Sequence, residues 1–558
     1  MDNYQIAENF SLLSKLLDIH GENSFKAKTY AIAAYHVENL TEQLSNTPVE
    51  KITVIKGIGE STGKKIIELL QTGDLKVLQE MISKTPPGVI ELLNIKGIGP
   101  KKIHTIWKEM EIESIGELLY ACQENRLKLY KGFGEKTQQN IIETIEYYLH
   151  NQGSYLYPQV EAVAPQIIAY LEKLFLPENV FITGAFKRQV EIIDELEFVV
   201  NSTNEMVKPK FVSANPPQLL EEKPDSLLYK LLNGLRLRLY TGTENFQKRV
   251  FTSSGSMEFT TAFEQQFPDI DYSKADTGIF EQAKTSYIPP CLRETAAIIE
   301  KAKTILIPDL IQPGDIKGII HCHSNWSDGS NTLEEMAKAA KEKGFEYLVI
   351  SDHSKSAFYA QGLSEEKIAA QQQYVNELND KTPAFKIFKS IECDILNDGS
   401  LDYTNTILST FDLVIVSVHS NLKMSEEKAM MRLLNAIENP YTTILGHMTG
   451  RLLLSRKGYP VDHKKIIDAC AANHVAIELN AHPSRLDIDW RHIDYALQKN
   501  VLISIDPDAH TIEGFDDIRY GVLAAQKAMV TKEQNLSSFG LQQFEGYLVK
   551  VRNLKGIK

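Results

Sequence analysis

The chain has 558 residues, 43% hydrophobic and 24% charged, which is ordinary for a soluble globular protein but too long for a single core. Its net charge of −13 excludes avid, non-specific attraction to a polyanion, so any nucleic-acid contact must be local, through backbone amides or small basic patches. No run of about 18 apolar residues is present to span a membrane, the opening MDNYQIAENF lacks the pattern of a signal peptide, and five scattered cysteines without a CxxC suit a reducing cytoplasm.

The first 150 residues read as entirely helical. The stretch ENSFKAKTYAIAAYHVENL, 22–40, predicts an amphipathic helix with Lys26 and Lys28 near its start. One element then recurs three times: VIKGIGESTGKKIIELL from Val54, NIKGIGPKKIHTIW from Asn94 and LYKGFGEKTQQNIIETI from Leu129. Each copy is a Gly-x-Gly turn leading into a helical pattern. The pairs Gly57/Gly59, Gly97/Gly99 and Gly132/Gly134 permit a tight hairpin and close approach of a ligand to the backbone. The free N–H groups of the following helix make an anion site, with Lys101 and Lys102 beside the second turn. This resembles the helix-hairpin-helix motif, whose turn grips DNA phosphates without reading sequence. One such turn is weak evidence; three at a spacing of about 35–40 residues are strong. A packed helical bundle with solvated lysines is the competing explanation.

The last 240 residues alternate short apolar, β-branched runs with helical stretches, which predicts a parallel sheet. The runs are 317–323, 347–353, 385–395, 413–420, 442–447, 475–481 and 502–510. Six of the seven carry His, Asp or Glu at or beside the C-terminal end, where α/β barrels build their sites. The set is His321, His323, Asp328, His353, Glu392, His419, His447, Asp508 and His510. His321 and His323, and again Asp508 and His510, stand two apart, so regular strands would point both members to one face. A single histidine after a strand is most often a hydrogen-bonding partner. A repeated rule points instead to metals held by imidazole and carboxylate, Zn, Mn or Fe, which activate water for phosphoester hydrolysis.

Taken together, the helical repeats, the segment YIPPCLRE at 287–294, and HCHSNWSDGSNTLEEMAKAAKEKGFEYLVISDHS, SIECDILNDGSLDY, AIENPYTTILGHMTGRLL and IEGFDDIRYGV resemble a bacterial family X DNA polymerase with a C-terminal PHP (polymerase and histidinol phosphatase) domain. The resemblance implies a multidomain chain. All-α helix-hairpin-helix regions come first, with a lyase-like domain at 1–85 and further repeats at 86–150. An α+β nucleotidyltransferase-like palm and thumb follow at 151–295, a linker at 296–315 and a distorted (β/α)7 PHP barrel at 316–558. It also implies three divalent ions at the nine residues above. Glu392 would bridge, His419 and His447 would complete one shell, and Asp328, His353 and His510 would hold another ion. Arg451 and Arg519 are candidate phosphate clamps. The implied chemistry is 3′–5′ exonucleolytic or related phosphoesterase work on gapped or recessed DNA ends, independent of sequence. Lys65 falls where relatives form a Schiff base with a deoxyribose phosphate, with Lys64 as a cationic neighbour that would depress its pKa.

In the palm the resemblance breaks. The family holds two Mg ions on three aspartates. Here GAFKRQVEIIDELEFVV has Ala185 for a serine, and Glu195 and Glu197 at the two aspartate positions, while LRLRLY puts Arg238 at the third. A fixed cation repels Mg, so templated synthesis is expected to be lost and no Mg site is expected there. The competing readings are a working polymerase with proofreading exonuclease, a small-molecule phosphatase of the histidinol-phosphate kind, and a non-catalytic DNA-binding scaffold. The helical repeats weigh against the phosphatase, and the full ligand set against the scaffold.

Overall fold

The structure, a computed structural model, describes residues 1–557 except 23, 39, 41, 56, 57, 96, 150–152 and 212–215. The chain forms two compact units: Met1–Gln123 with Leu127–Tyr148, and Glu124–Arg126 with Leu149–Lys558.

The first unit is helical throughout its described residues. Asp2 opens the helix Asn3–Ile19 with a reciprocal capping box to Gln5. Ile6, Phe10, Leu13 and Leu17 recur at helical spacing on its buried face, and Phe10 stacks on Tyr30 of the predicted helix, observed as Ser24–Glu38. Gly59 and Gly99 are the N-caps of the helices Glu60–Thr72 and Pro100–Lys108. The third repeat leads into Glu135–Leu149. A Cβ on Gly63 would come within 2.8 Å of Thr53, so that glycine permits close helix packing.

The second unit holds a five-stranded mixed sheet and a barrel. The sheet strands are Val180–Thr183 (β1), Glu195–Val200 (β2), Gln218–Lys223 (β3), Ser226–Lys230 (β4) and Arg236–Thr241 (β5). Their spatial order is β1-β2-β5-β4-β3, with β2 and β5 parallel and Glu197 opposite Arg238. Leu196, Phe198 and Val200 alternate inward from β2. A phenylalanine cluster (Phe251, Phe259, Phe263, Phe280) forms a helical core after the sheet.

The barrel strands are Gly318–Cys322 (β6), Tyr347–Ile350 (β7), Lys386–Lys389 (β8), Glu392–Asp394 (β9), Val414–Ser417 (β10), Thr442–Leu445 (β11), Ala476–Asn480 (β12) and Ile503–Asp506 (β13). All pair in parallel, in the orders β8-β7-β6 and β9-β10-β11-β12-β13. Bridges Cys322–Ala509 and His353–Glu392 join the two sheets into a ring. The run read as one strand over 385–395 is broken between Lys389 and Glu392, and the break moves Glu392 into register with the neighbouring sheet. On β7, Leu348 and Ile350 face the helices while Tyr347 and Val349 pack toward Phe544 and Leu548 of the helix Leu541–Leu554. Thr332, Ser364, Ser425, Asp462 and Asp489 each cap a helix N-terminus with the side chain, which fixes where the chain turns back between strands.

Candidate metal centre

The barrel brings all nine sequence-predicted residues together, eight of them at or beyond the C-terminal end of a strand and Glu392 at the start of β9. His321 lies in β6, His353 follows β7, Glu392 opens β9, His419 follows β10, His447 follows β11, and Asp508 and His510 follow β13. Their ligand atoms converge. His323, Asp328, His353 and His510 form one group with atoms within 4.8 Å of one another; His321, His323, Glu392 and Asp508 form a second, and His353, Glu392 and His419 a third. Glu392 is shared: Oε1 lies 3.0 Å from His447 Nε2, 3.1 Å from His419 Nε2 and 3.3 Å from His321 Nε2, and Oε2 lies 3.0 Å from His353 Nδ1.

The two-apart pairs do not work as a regular strand would make them. His321 has φ +60° and Asp508 φ +52°, in the left-handed region. The register of β6 against β7 slips between Ile319 and Cys322. These kinks, rather than simple alternation, bring the His321 and His323 ring centroids to 5.3 Å of each other.

Outer partners orient the rings. His321 Nδ1 meets Glu478 Oε2 at 2.5 Å and His419 Nδ1 meets Asp394 Oδ1 at 3.0 Å, which leaves each Nε2 facing the centre. Glu478 and Asn480 were missed from the sequence because AIELN reads as an apolar strand. The signal was there: two polar residues two apart inside such a run. Asp352, which accepts from Ser324, Ser327 and Gln371, ties the loop carrying Asp328 to β7. Glu124, whose segment Glu124–Arg126 groups with the second unit, lies 2.7 Å from His510 Nε2.

Electrostatics show what the centre wants. Burial opposes a charge on His321, yet Glu478, Asp508 and Glu392 outweigh it and hold the imidazole well above its usual pKa. Burial likewise opposes, and Glu392 and Asp394 overcome, at His419, which rises to about 9. His323 goes the other way, to about 3, through burial and the neighbouring His510 and His353. Buried carboxylates thus call for positive charge. Glu392 Oε2, Asp328 Oδ2, His321 Nε2 and His510 Nε2 are buried without a hydrogen bond, although His353 lies 3.0 and 3.5 Å from the first two, Glu392 Oε1 3.3 Å from the third and Glu124 Oε2 2.7 Å from the fourth. Divalent cations fit this donor set.

The remaining predicted residues fall differently. Arg451 is spent on its own chain: Nε donates to the Arg485 carbonyl at 2.9 Å, one terminal nitrogen binds Asp489 at 2.5 Å and the other the Leu486 carbonyl. Arg519 pairs with Glu161. Arg485, 6% exposed, places Nε 3.8 Å from Asp508 and was not singled out from sequence. Lys65 is half-buried on its helix, and Lys64 pairs with Glu60 at 2.8 Å, so its charge is already matched. Gly97 and Gly132 have φ +92° and +93°, and no atom lies within 4 Å of a Cβ placed on Gly59, Gly97, Gly99, Gly132 or Gly134. Gly57 lies outside the described residues. Lys101 is exposed, and Lys102 Nζ reaches the Gly97 carbonyl at 3.3 Å.

In the sheet, Arg238 makes a two-pronged pair with Glu195 at 2.5 and 3.1 Å and also binds Glu221 at 3.0 Å. Glu197 accepts from the Tyr240 hydroxyl at 2.8 Å and from Ala185 N–H at 3.2 Å. Gly184 (φ +69°) leaves room for that carboxylate, since a Cβ would fall 1.9 Å from Glu197 Oε1.

Helical hairpin repeats, a mixed sheet and a parallel barrel with a carboxylate–imidazole centre define a multidomain protein of helix-hairpin-helix and PHP type. Residues 1–75 match the helix-hairpin-helix domain, 89–146 the SAM-like helix-hairpin-helix tandem and 320–482 the PHP domain. His321 to His447 lie inside that PHP match; Asp508 and His510 lie beyond it. The chain is 28% identical to the DNA polymerase/3′-5′ exonuclease PolX of Bacillus subtilis over 98% of this chain and 99% of that protein. Probable phosphatases of Caldanaerobacter subterraneus and a Thermoanaerobacter species are each 29% identical over 27% of this chain, spanning 56% and 58% of their own lengths. The resemblance to bacterial family X polymerases with a C-terminal PHP domain therefore runs through nearly the whole chain. No helix among the described residues is long and apolar enough to cross a membrane.

Proposed function

We propose that this protein is a DNA-binding phosphoesterase whose barrel cleaves phosphodiesters at gapped or recessed DNA ends, in the 3′–5′ direction, while its palm no longer synthesises. The carrying observation is the buried centre around Glu392, where imidazoles and carboxylates from six strand ends face one another with unmet charge. The nine residues would hold three divalent ions, Zn, Mn or Fe. Such ions lower the pKa of bound water and polarise phosphoryl oxygens. Glu478 and Asp394 fix the His321 and His419 rings so that Nε2 stays directed inward. Arg485 takes the phosphate-facing role first given to Arg451, and Arg451 instead braces the loop that carries Arg485.

The helical unit brings the DNA. Open glycine turns ahead of helices at Gly59, Gly99 and Gly134 let phosphates reach backbone N–H groups without base reading. These repeats favour a polynucleotide over a small phosphoester, although the relatives named as probable phosphatases keep the small-substrate reading as the second choice. Against a working polymerase, Glu195 and Glu197 are already held by Arg238 and Tyr240, and Arg188, which follows Lys187 in GAFKRQV, binds Glu294 at 3.2 Å. We place the domains at 1–85, 86–150, 151–295 and 316–558 with a linker at 296–315. Five buried, unpaired cysteines suit a cytoplasmic protein.

The test is cleavage of 3′- and 5′-labelled gapped DNA with Mn, beside His321→Ala/His323→Ala. We expect a 3′–5′ ladder that the double variant loses. Cleavage unchanged in that variant would sink the proposal, and hydrolysis of p-nitrophenyl phosphate without DNA cleavage would favour the phosphatase reading.

A further inference from the structure

Glu124 stands at the metal centre outside the nine-residue set, and hydrolysis as described above does not require it. Its segment, Glu124–Arg126, belongs to the same unit as the barrel. The side chain is buried, and Oε2 lies 2.7 Å from His510 Nε2, nearer than Asp328 Oδ1 at 3.4 Å. Glu124, Asp508 and His510 offer ligand atoms within 4.8 Å of one another. The next residue anchors the placement. Asn125 takes a left-handed backbone (φ +55°), and its Nδ2 donates to the Ser330 hydroxyl at 2.7 Å. Ser330 N–H in turn donates to the His510 carbonyl at 2.8 Å.

The chemistry of His510 makes the contact with Glu124 informative. Its Nδ1 donates to the Asp508 carbonyl at 3.0 Å, so the neutral ring turns its Nε2 lone pair toward the carboxylate. A lone pair and a carboxylate do not bond to each other, but a cation bound to both satisfies them. Donors for such a cation are present without Glu124, since His323, Asp328, His353 and His510 already form a group of four. A hydrolytic ion must keep one position open for water or substrate. Glu124 approaches His510 from outside the group of four and brings an anionic oxygen, the same kind of donor that a phosphate offers.

We propose that Glu124 is a displaceable stopper, which holds the coordination position beside His510 that the substrate phosphate must take and yields it when phosphate binds. This rests on the reading of the barrel as a metal-dependent phosphoesterase. An arriving phosphate competes with a carboxylate tethered to the site, so its apparent affinity falls in proportion to the fraction of sites that stand open. Small free anions are thereby disfavoured, while a substrate gripped at further points along its length still displaces the carboxylate.

The experiment compares wild type, Glu124→Gln and Glu124→Asp, each loaded with Mn. Inorganic phosphate is titrated by calorimetry, and bound metal is measured by plasma mass spectrometry. We expect Glu124→Gln to bind phosphate about tenfold more tightly, as for a site open about a tenth of the time in wild type. Its metal content should equal that of wild type, because four donors remain. Glu124→Asp keeps the anion but draws it back by a methylene, so its phosphate affinity should fall between the two, and it carries the test if the glutamine variant does not fold. Metal lost from Glu124→Gln would make the carboxylate a fixed ligand and overturn the proposal. Phosphate affinity that is the same in all three proteins, or undetectable in all three, overturns it as well. A second arm follows labelled gapped DNA. Tighter phosphate binding by Glu124→Gln in a protein that cleaves no DNA defeats the DNA reading and leaves the stopper standing. DNA cleavage with a phosphate affinity indifferent to Glu124 defeats the stopper alone.

Discussion

The sheet of the palm and the barrel present acidic side chains in similar ways, and their fates differ. In the palm, Glu195 faces a guanidinium built into the next parallel strand, and Glu197 is satisfied by a hydroxyl and a backbone N–H. In the barrel, Glu392 faces five imidazoles, and its Oε2 finds no hydrogen bond. A carboxylate whose counter-charge is permanent has no use for a cation. One surrounded by rings that can lose their protons can exchange those protons for metal. The lesson is that the number of carboxylates says less than the nature of their neighbours.

The strongest way to break this comparison is Glu392→Gln. Removing the shared charge should lower DNA cleavage more than about 100-fold, beyond the usual cost of losing an outer partner, and should strip metal measured by plasma mass spectrometry. Retention of both metal and activity would mean that Glu392 is a structural carboxylate like Glu195. The converse change in the palm is Arg238→Ala. It leaves Glu195 partly buried and unpaired, and denaturant unfolding should show a loss of about 2 kcal/mol, with cleavage within about twofold of wild type. A large loss of cleavage at unchanged stability would show that the palm takes part in the reaction.

The smallest effect sharpens the comparison at the edge of the barrel centre, where Asp517 feels Glu124, the neighbour of His510. Burial, with Asp516 beside it, pushes the Asp517 carboxyl up to about 7. The folded protein therefore keeps a proton that the unfolded chain releases near pH 3.9. The associated stability is complete below about pH 4 and is lost as pH rises through 7. Asp517→Asn cannot ionise, so its Tm should exceed that of wild type at pH 8 and equal it at pH 4. A gap that is the same at both pH values would exclude a titrating Asp517.

Much of the barrel was legible because strand, turn and ligand follow one rule repeated down the chain. His353, His419 and His447 stand shortly after apolar β-branched runs, and such positions survive errors in strand ends. What escaped depends on contacts between distant segments. Glu478 sits inside an apolar strand, and only the barrel places it against His321, 157 residues earlier. Arg451 and Arg485 both follow strand ends and could not be told apart from sequence; only the loop from 482 to 489 brings Arg485 Nε to 3.8 Å from Asp508 and ties Arg451 to Asp489 and two carbonyls. The break between Lys389 and Glu392 has no local signal: the run reads as one strand, and the join between two sheets divides it. In the helical unit the glycine repeats foretold open turns, because backbone freedom is written in residue type.

His321 and Asp508 carry a cost of their own. Both adopt a left-handed backbone that glycine or asparagine would accept with less strain, by about 1 kcal/mol or more each. Selection for thermal endurance alone would therefore drift toward replacing them, and a hardier descendant of this protein would be an inert one.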